Sequence, residues 1–136
     1  MKFATALLAA SLLVAPALVQ PALAQDAAAP NILGTWKGES DGLSQKYGWV
    51  TGPVTLVVSE QRGRSFRANI TYPSEKGGTQ TEKLVGTLTP DGKNVLLAGD
   101  DTIHIAVLQG STLDACYLEP GDNDGVAVCA RLAKQP

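Results

Sequence analysis

The chain has 136 residues with 11 basic and 13 acidic side chains, and its net charge of −2 is dispersed rather than gathered into a basic stripe. Nucleic acid is therefore not an expected partner. Two cysteines and a single histidine also leave too few soft ligands for a typical zinc site, so no metal or other cofactor is expected.

Residues 1–24 read MKFATALLAASLLVAPALVQPALA: a lysine, an apolar run, then Ala22-Leu23-Ala24 as a small-x-small cleavage site. This is the pattern of an export signal, with the mature chain beginning near Gln25. The apolar run is broken by Pro16 and Pro21 and falls short of the ~20 residues of a spanning helix. A periplasmic or secreted protein with no membrane association after signal removal follows. About 112 residues remain, enough for one domain and not two. Residues 25–31 are small and aperiodic, a flexible lead-in to a domain over residues 32–134.

From Ile32 onward apolar residues recur with period two, and turn residues interrupt them every eight to twelve positions. The first strand is predicted over residues 32–39. Residues 40–53, SDGLSQKYGWVTGP, form the longest connection, and its Tyr47 and Trp49 are candidate ligand-binding residues at a barrel mouth. The simpler reading has residues 46–50 extending the second strand, with Trp49 covering an end of the core. Strands over 54–59 and 65–72 flank the turn Gln61-Arg62-Gly63-Arg64. In SFRANITY, Phe66, Ala68, Ile70 and Tyr72 alternate with polar residues, the mark of one buried and one wet face.

Strands follow over residues 83–88 and 94–98, joined by Thr89-Pro90-Asp91-Gly92, in which proline presets φ and glycine accepts a positive one. Further strands fall at 102–108, 112–118 and 126–132. Eight antiparallel strands joined by short sequential turns predict an all-β, up-and-down barrel, because closure removes exposed edges. A β-sandwich is the alternative, but its crossovers need longer connections.

Cys116 and Cys129 bracket the last turn. If they oppose each other, Asp114 meets Arg131 on one face, while Leu113, Ala115 and Tyr117 meet Leu132, Ala130 and Val128 on the other. One face is then apolar and the other pairs opposite charges, as a correct register requires. In an oxidising compartment this predicts a disulfide. Asp122-Asn123-Asp124 reads as a solvated turn, since it lacks the span and terminal glutamate of an EF-hand loop.

Catalytic constellations are not found. His104 reads as an ordinary strand residue with no nucleophile or ligand pattern around it, and the pairs Asp100-Asp101 and Glu39-Asp41 read as turn residues bonding local backbone. A non-enzymatic binding module is expected, acting as a monomer on a small apolar or amphipathic molecule. The alternative is a protein partner.

The first strand carries Ile32-Leu33-Gly34-Thr35-Trp36-Lys37-Gly38. A Gly-x-Trp there, in a small exported barrel, resembles the calycin superfamily: lipocalins, avidins and small periplasmic protease inhibitors. The lipocalin resemblance implies an arginine near the last strand packed over the tryptophan, and Arg131 occupies the matching place. The avidin resemblance does not extend to biotin, because Gly38 and Gly42 stand where that family has polar ligands. The inhibitor resemblance implies an N-terminal segment that enters a protease.

Overall fold

The structure is a computed structural model and describes residues 28–74 and 77–136, so the predicted export signal lies outside the described residues. Eight strands run in chain order: β1 (Gly34–Ser44), β2 (Gly48–Arg62), β3 (Ser65–Pro73), β4 (Thr79–Leu88), β5 (Asn94–Ala98), β6 (Ile103–Gln109), β7 (Thr112–Glu119) and β8 (Val126–Lys134). Each pairs antiparallel with the next, and β8 pairs with β1 to close an up-and-down barrel. The meander follows from period-two patterning joined by short turns. Gly63 and Gly92 take the positive φ that two of those turns require, at 57° and 70°.

Alternation decides what fills the interior. Trp36, Leu56, Val58, Phe66, Ala68, Leu84, Leu88, Val95, Leu113 and Leu132 are buried on inward positions. Phe66 opposes Gly86 across β3 and β4, and a β-carbon at Gly86 would collide with its ring. The aromatic side chain thus takes the space that the glycine leaves.

One end of the barrel is closed. There Trp36 is 1% exposed, its Nε1 donates to Ile32 O at 3.0 Å, and Ile32 is buried beside it. Gln61 Nε2 donates to Pro30 O at 2.8 Å, and Lys134 Nζ donates to Asn31 O at 3.3 Å. Residues 29–31, at the end of the lead-in expected over residues 25–31, are laid against the closed end. The Pro30 and Asn31 carbonyls find donors there.

Strand boundaries depart furthest from expectation in the β1–β2 hairpin and at the start of β4. The connection predicted over residues 40–53 is mostly sheet, since β1 and β2 pair from Gly34↔Val58 to Ser44↔Gly48. Pro53, at the end of the expected connection, lacks an N–H. Yet β2 pairs β3 only from Thr55, so at Pro53 the strand is an edge on that side, where proline is tolerated. Strand β4 likewise begins at Thr79 rather than at residue 83.

Candidate functional site

Strand direction gathers the loops between β1 and β2, β3 and β4, β5 and β6, and β7 and β8 at the open end, opposite Trp36. Below them lies a cavity of about 630 Å³, within the ~300–1,000 Å³ range of small-molecule sites. One part of its wall is apolar, with Val54, Ile70, Ala115, Val128, Ala130 and Leu132. Another part carries Tyr72, Gln80, His104, Tyr117 and Glu119. Such a cavity suits an amphipathic occupant, since each side chain class faces its own kind of surface.

The polar part arises from inward positions on β4, β6 and β7. Glu82 shares its parity with the buried Leu84 and Leu88, and Glu119 shares its parity with Leu113, Ala115 and Tyr117. His104 is only 3% exposed, whereas Ile103 and Ile105 on the other parity of β6 face outward, at 52% and 46% exposure. Its ring centroid lies 5.0 Å from that of Tyr117, and its Nε2 is buried without a hydrogen-bond partner. Burial pushes its pKa down to about 4, so the imidazole is neutral near neutral pH. The Tyr117 hydroxyl donates to Glu119 Oε2, and burial followed by that carboxylate pushes its pKa upward.

A lateral opening lies beside this cluster. Strands β4 and β5 pair only from Val85↔Ala98 to Leu88↔Val95, leaving the first half of β4 without a neighbour on that side. Thr102 Oγ1 reaches across and donates to Glu82 Oε1 at 2.6 Å, while Glu82 Oε2 remains buried and unpartnered. A β-carbon on Gly99 would collide with Glu82 Oε1, so glycine is what admits the carboxylate. The opening forms a second cavity, lined by Glu82, Lys83, Asp100 and Asp101, that meets the first at Tyr72, Gln80, Tyr117 and Glu119.

Tyr47 and Trp49 both line the open cavity, at its rim. Trp49 is 85% exposed, so it covers no core. Lys46 Nζ stands 5.1 Å from the Tyr47 ring centroid. Gln45 clasps the loop after β7, its N–H donating to Gly125 O and its Oε1 accepting from Gly125 N, both at 2.9 Å.

Of the other singled-out residues, Cys116 and Cys129 line the cavity, whereas Asp114, Arg131 and Trp36 do not. Asp114 opposes Arg131 on the outer wall, with Arg131 Nε to Asp114 Oδ1 at 2.6 Å and Nη2 to Oδ2 at 2.8 Å. That pairing holds the Asp114 carboxyl below its ordinary range. Arg131 is therefore not over Trp36. Lys134 takes that place, with Nζ 5.4 Å from the ring centroid, because its position on β8 pairs directly with Trp36 on β1 whereas Arg131 pairs with Glu39. Cys116 and Cys129 are disulfide-bonded and directly opposed across β7 and β8.

Glu82, Thr102, His104 and Tyr117 had no place among the candidate residues. Strand parity was the available signal, since Glu82 alternates in phase with two core leucines. Among the described residues, no group of three or more His, Cys, Asp or Glu side chains is arranged to hold a metal ion.

No family model and no curated protein matches the chain. Solved structures do, and one is the zebrafish ileal bile acid-binding protein complexed with cholic acid, at 14% identity and a TM-score of 0.45, covering 76% of this chain and 98% of that one. The strand plan of the present chain is eight antiparallel strands in sequence, closed by the first and last.

Proposed function

We propose that this protein is an exported binding module that takes a small amphipathic molecule into the open end of its barrel. The observation that carries the reading is a cavity of about 630 Å³ in which His104 Nε2 is buried without a partner. Burying a polar atom without a hydrogen bond is costly, and natural interiors rarely keep one without a use. A ligand group at that position would satisfy it.

The export signal over residues 1–24 and the Cys116–Cys129 disulfide both fit an oxidising compartment outside the cytoplasm. Tyr47 and Trp49 would then act at the rim, where amphipathic rings meet an entering ligand. The protein-binding alternative through residues 25–31 has less support, since Pro30 and Asn31 are bonded to the closed end.

Native mass spectrometry of the protein isolated from its own host compartment tests the reading. The expected spectrum contains a species heavier than the processed, oxidised chain by the mass of one small organic molecule. A chain that carries none, and that shifts no resonance of cavity residues when mixed with a panel of amphiphiles, would count against it.

A further inference from the structure

The polar end of the cavity is lined mainly by acidic side chains, while the cationic Lys46 stands at the open rim beside Tyr47. Glu82 and Glu119 point inward from β4 and β7, Asp100 and Asp101 stand at the lateral opening, and Lys83 is the one cationic side chain among the described residues lining that opening. Lys83 lies on the outward parity of β4, next to Glu82. Among the described residues, neither Glu82 nor Glu119 has an ion-pair partner; they accept from the neutral Thr102 and Tyr117 hydroxyls. Among the described residues, two buried side-chain atoms are without a hydrogen-bond partner: Glu82 Oε2, which when ionised can only accept, and His104 Nε2.

We propose that the molecule taken up by this barrel is a cationic amphiphile, whose ammonium group enters between Glu82 and Glu119 beside His104 while its apolar body lies against Val54, Ile70 and Val128. The assignment rests on the cavity being a ligand site and specifies the ligand's head group. An ammonium supplies several N–H donors and a compensating charge, so it satisfies Glu82 Oε2 and relieves the carboxylates at once. A carboxylate head would instead add a like charge in a partly desolvated site. An uncharged hydroxyl would satisfy one acceptor and leave the charge as it is. The acidic lateral opening also draws cations toward the cavity and repels anions.

Three ligands with the same alkyl chain decide the matter: dodecylamine, dodecanol and dodecanoate, each competing at neutral pH with an uncharged naphthylamine reporter that fluoresces in apolar surroundings. Dodecylamine is expected to bind at least about tenfold more tightly than dodecanoate, with dodecanol between them. In Glu82→Gln and Glu119→Gln, amine affinity is expected to fall by about tenfold while dodecanol changes by less than about twofold. If a variant does not fold, the comparison of head groups on the unaltered protein still decides. Dodecanoate binding as tightly as dodecylamine overturns the head-group assignment and leaves the cavity reading standing. Failure of the reporter and of all three ligands to bind overturns both.

Discussion

Thr102 Oγ1 donates to Glu82 Oε1 at 2.6 Å across the stretch of the wall where β4 has no strand on its β5 side. A side-chain hydrogen bond stands there in place of a backbone ladder, and it holds an ionisable group at the edge of the cavity. Thr102→Val removes the donor at nearly constant volume. Leaving the carboxylate oxygen without it is expected to cost about 1–3 kcal/mol in urea denaturation. Gly99→Ala is expected to displace the Glu82 carboxylate and break the same hydrogen bond, because its methyl would occupy the space of Glu82 Oε1 and Thr102 Oγ1.

His104 predicts a pH dependence. Its folded pKa, about 4, lies below the ordinary value of 6.5, so the unfolded chain takes up a proton before the folded one does. Stability is therefore full above about pH 6.5 and declines as pH falls toward 4, by up to about 3 kcal/mol. The Tyr117 ring on β7 lies beside it, and desolvation is the cause of the shift. Asp91 and Asp114, held below the usual carboxylate range, lose their contribution in a more acidic window. Denaturation curves between pH 4 and 7 for the protein and for His104→Leu provide the check; the decline should flatten in the variant.

The disulfide joins directly opposed strand positions and closes a short loop. Replacing both cysteines with serine is expected to lower stability by about 3 kcal/mol, subject to residual structure in the unfolded chain. The rest of the β7–β8 register should survive, because Asp114–Arg131 and Leu113–Leu132 specify it independently. Amide exchange across β7 and β8 reads both outcomes.

The two tryptophans report on opposite ends of the barrel. Trp36 is buried at the closed end and Trp49 is exposed at the rim. A ligand entering the open end should shift the Trp49 emission to shorter wavelength and shield it from iodide, while Trp36 stays unchanged. Trp49→Phe should abolish that response. Its persistence in the variant would place the ligand elsewhere.

At the closed end, Lys134→Gln should lower stability by about 0.5–1 kcal/mol through loss of its contact with the Trp36 ring. Arg131→Gln should change stability little, since its partner Asp114 is on the outer wall. The reverse ranking in thermal denaturation would mean that Arg131, not Lys134, caps the tryptophan.

Much of this architecture was legible along the chain. Phe66, Ala68, Ile70 and Tyr72 announce a half-buried strand, Pro90-Asp91-Gly92 a turn, and the cysteines a register that places Asp114 against Arg131. Each is a local relation, between neighbours along a strand or across one hairpin. The arms of the β1–β2 hairpin were harder to see because Pro53 and four nearby glycines resemble a loop, and the sheet accommodates them only where an edge is available.

The polar cluster was hidden for a different reason. Glu82, Thr102, His104 and Tyr117 are each unremarkable in their own segments, and no spacing links them. Period-two patterning and turn chemistry were sufficient to determine eight strands in a meander, because those forces act between adjacent residues. Which inward side chains share one end, and which of their atoms go without partners, was decided by barrel closure. The convergence of β4, β6 and β7 depends on the shear and curvature of the whole sheet, and desolvation acts on a carboxylate or an imidazole only after that wall has formed around it.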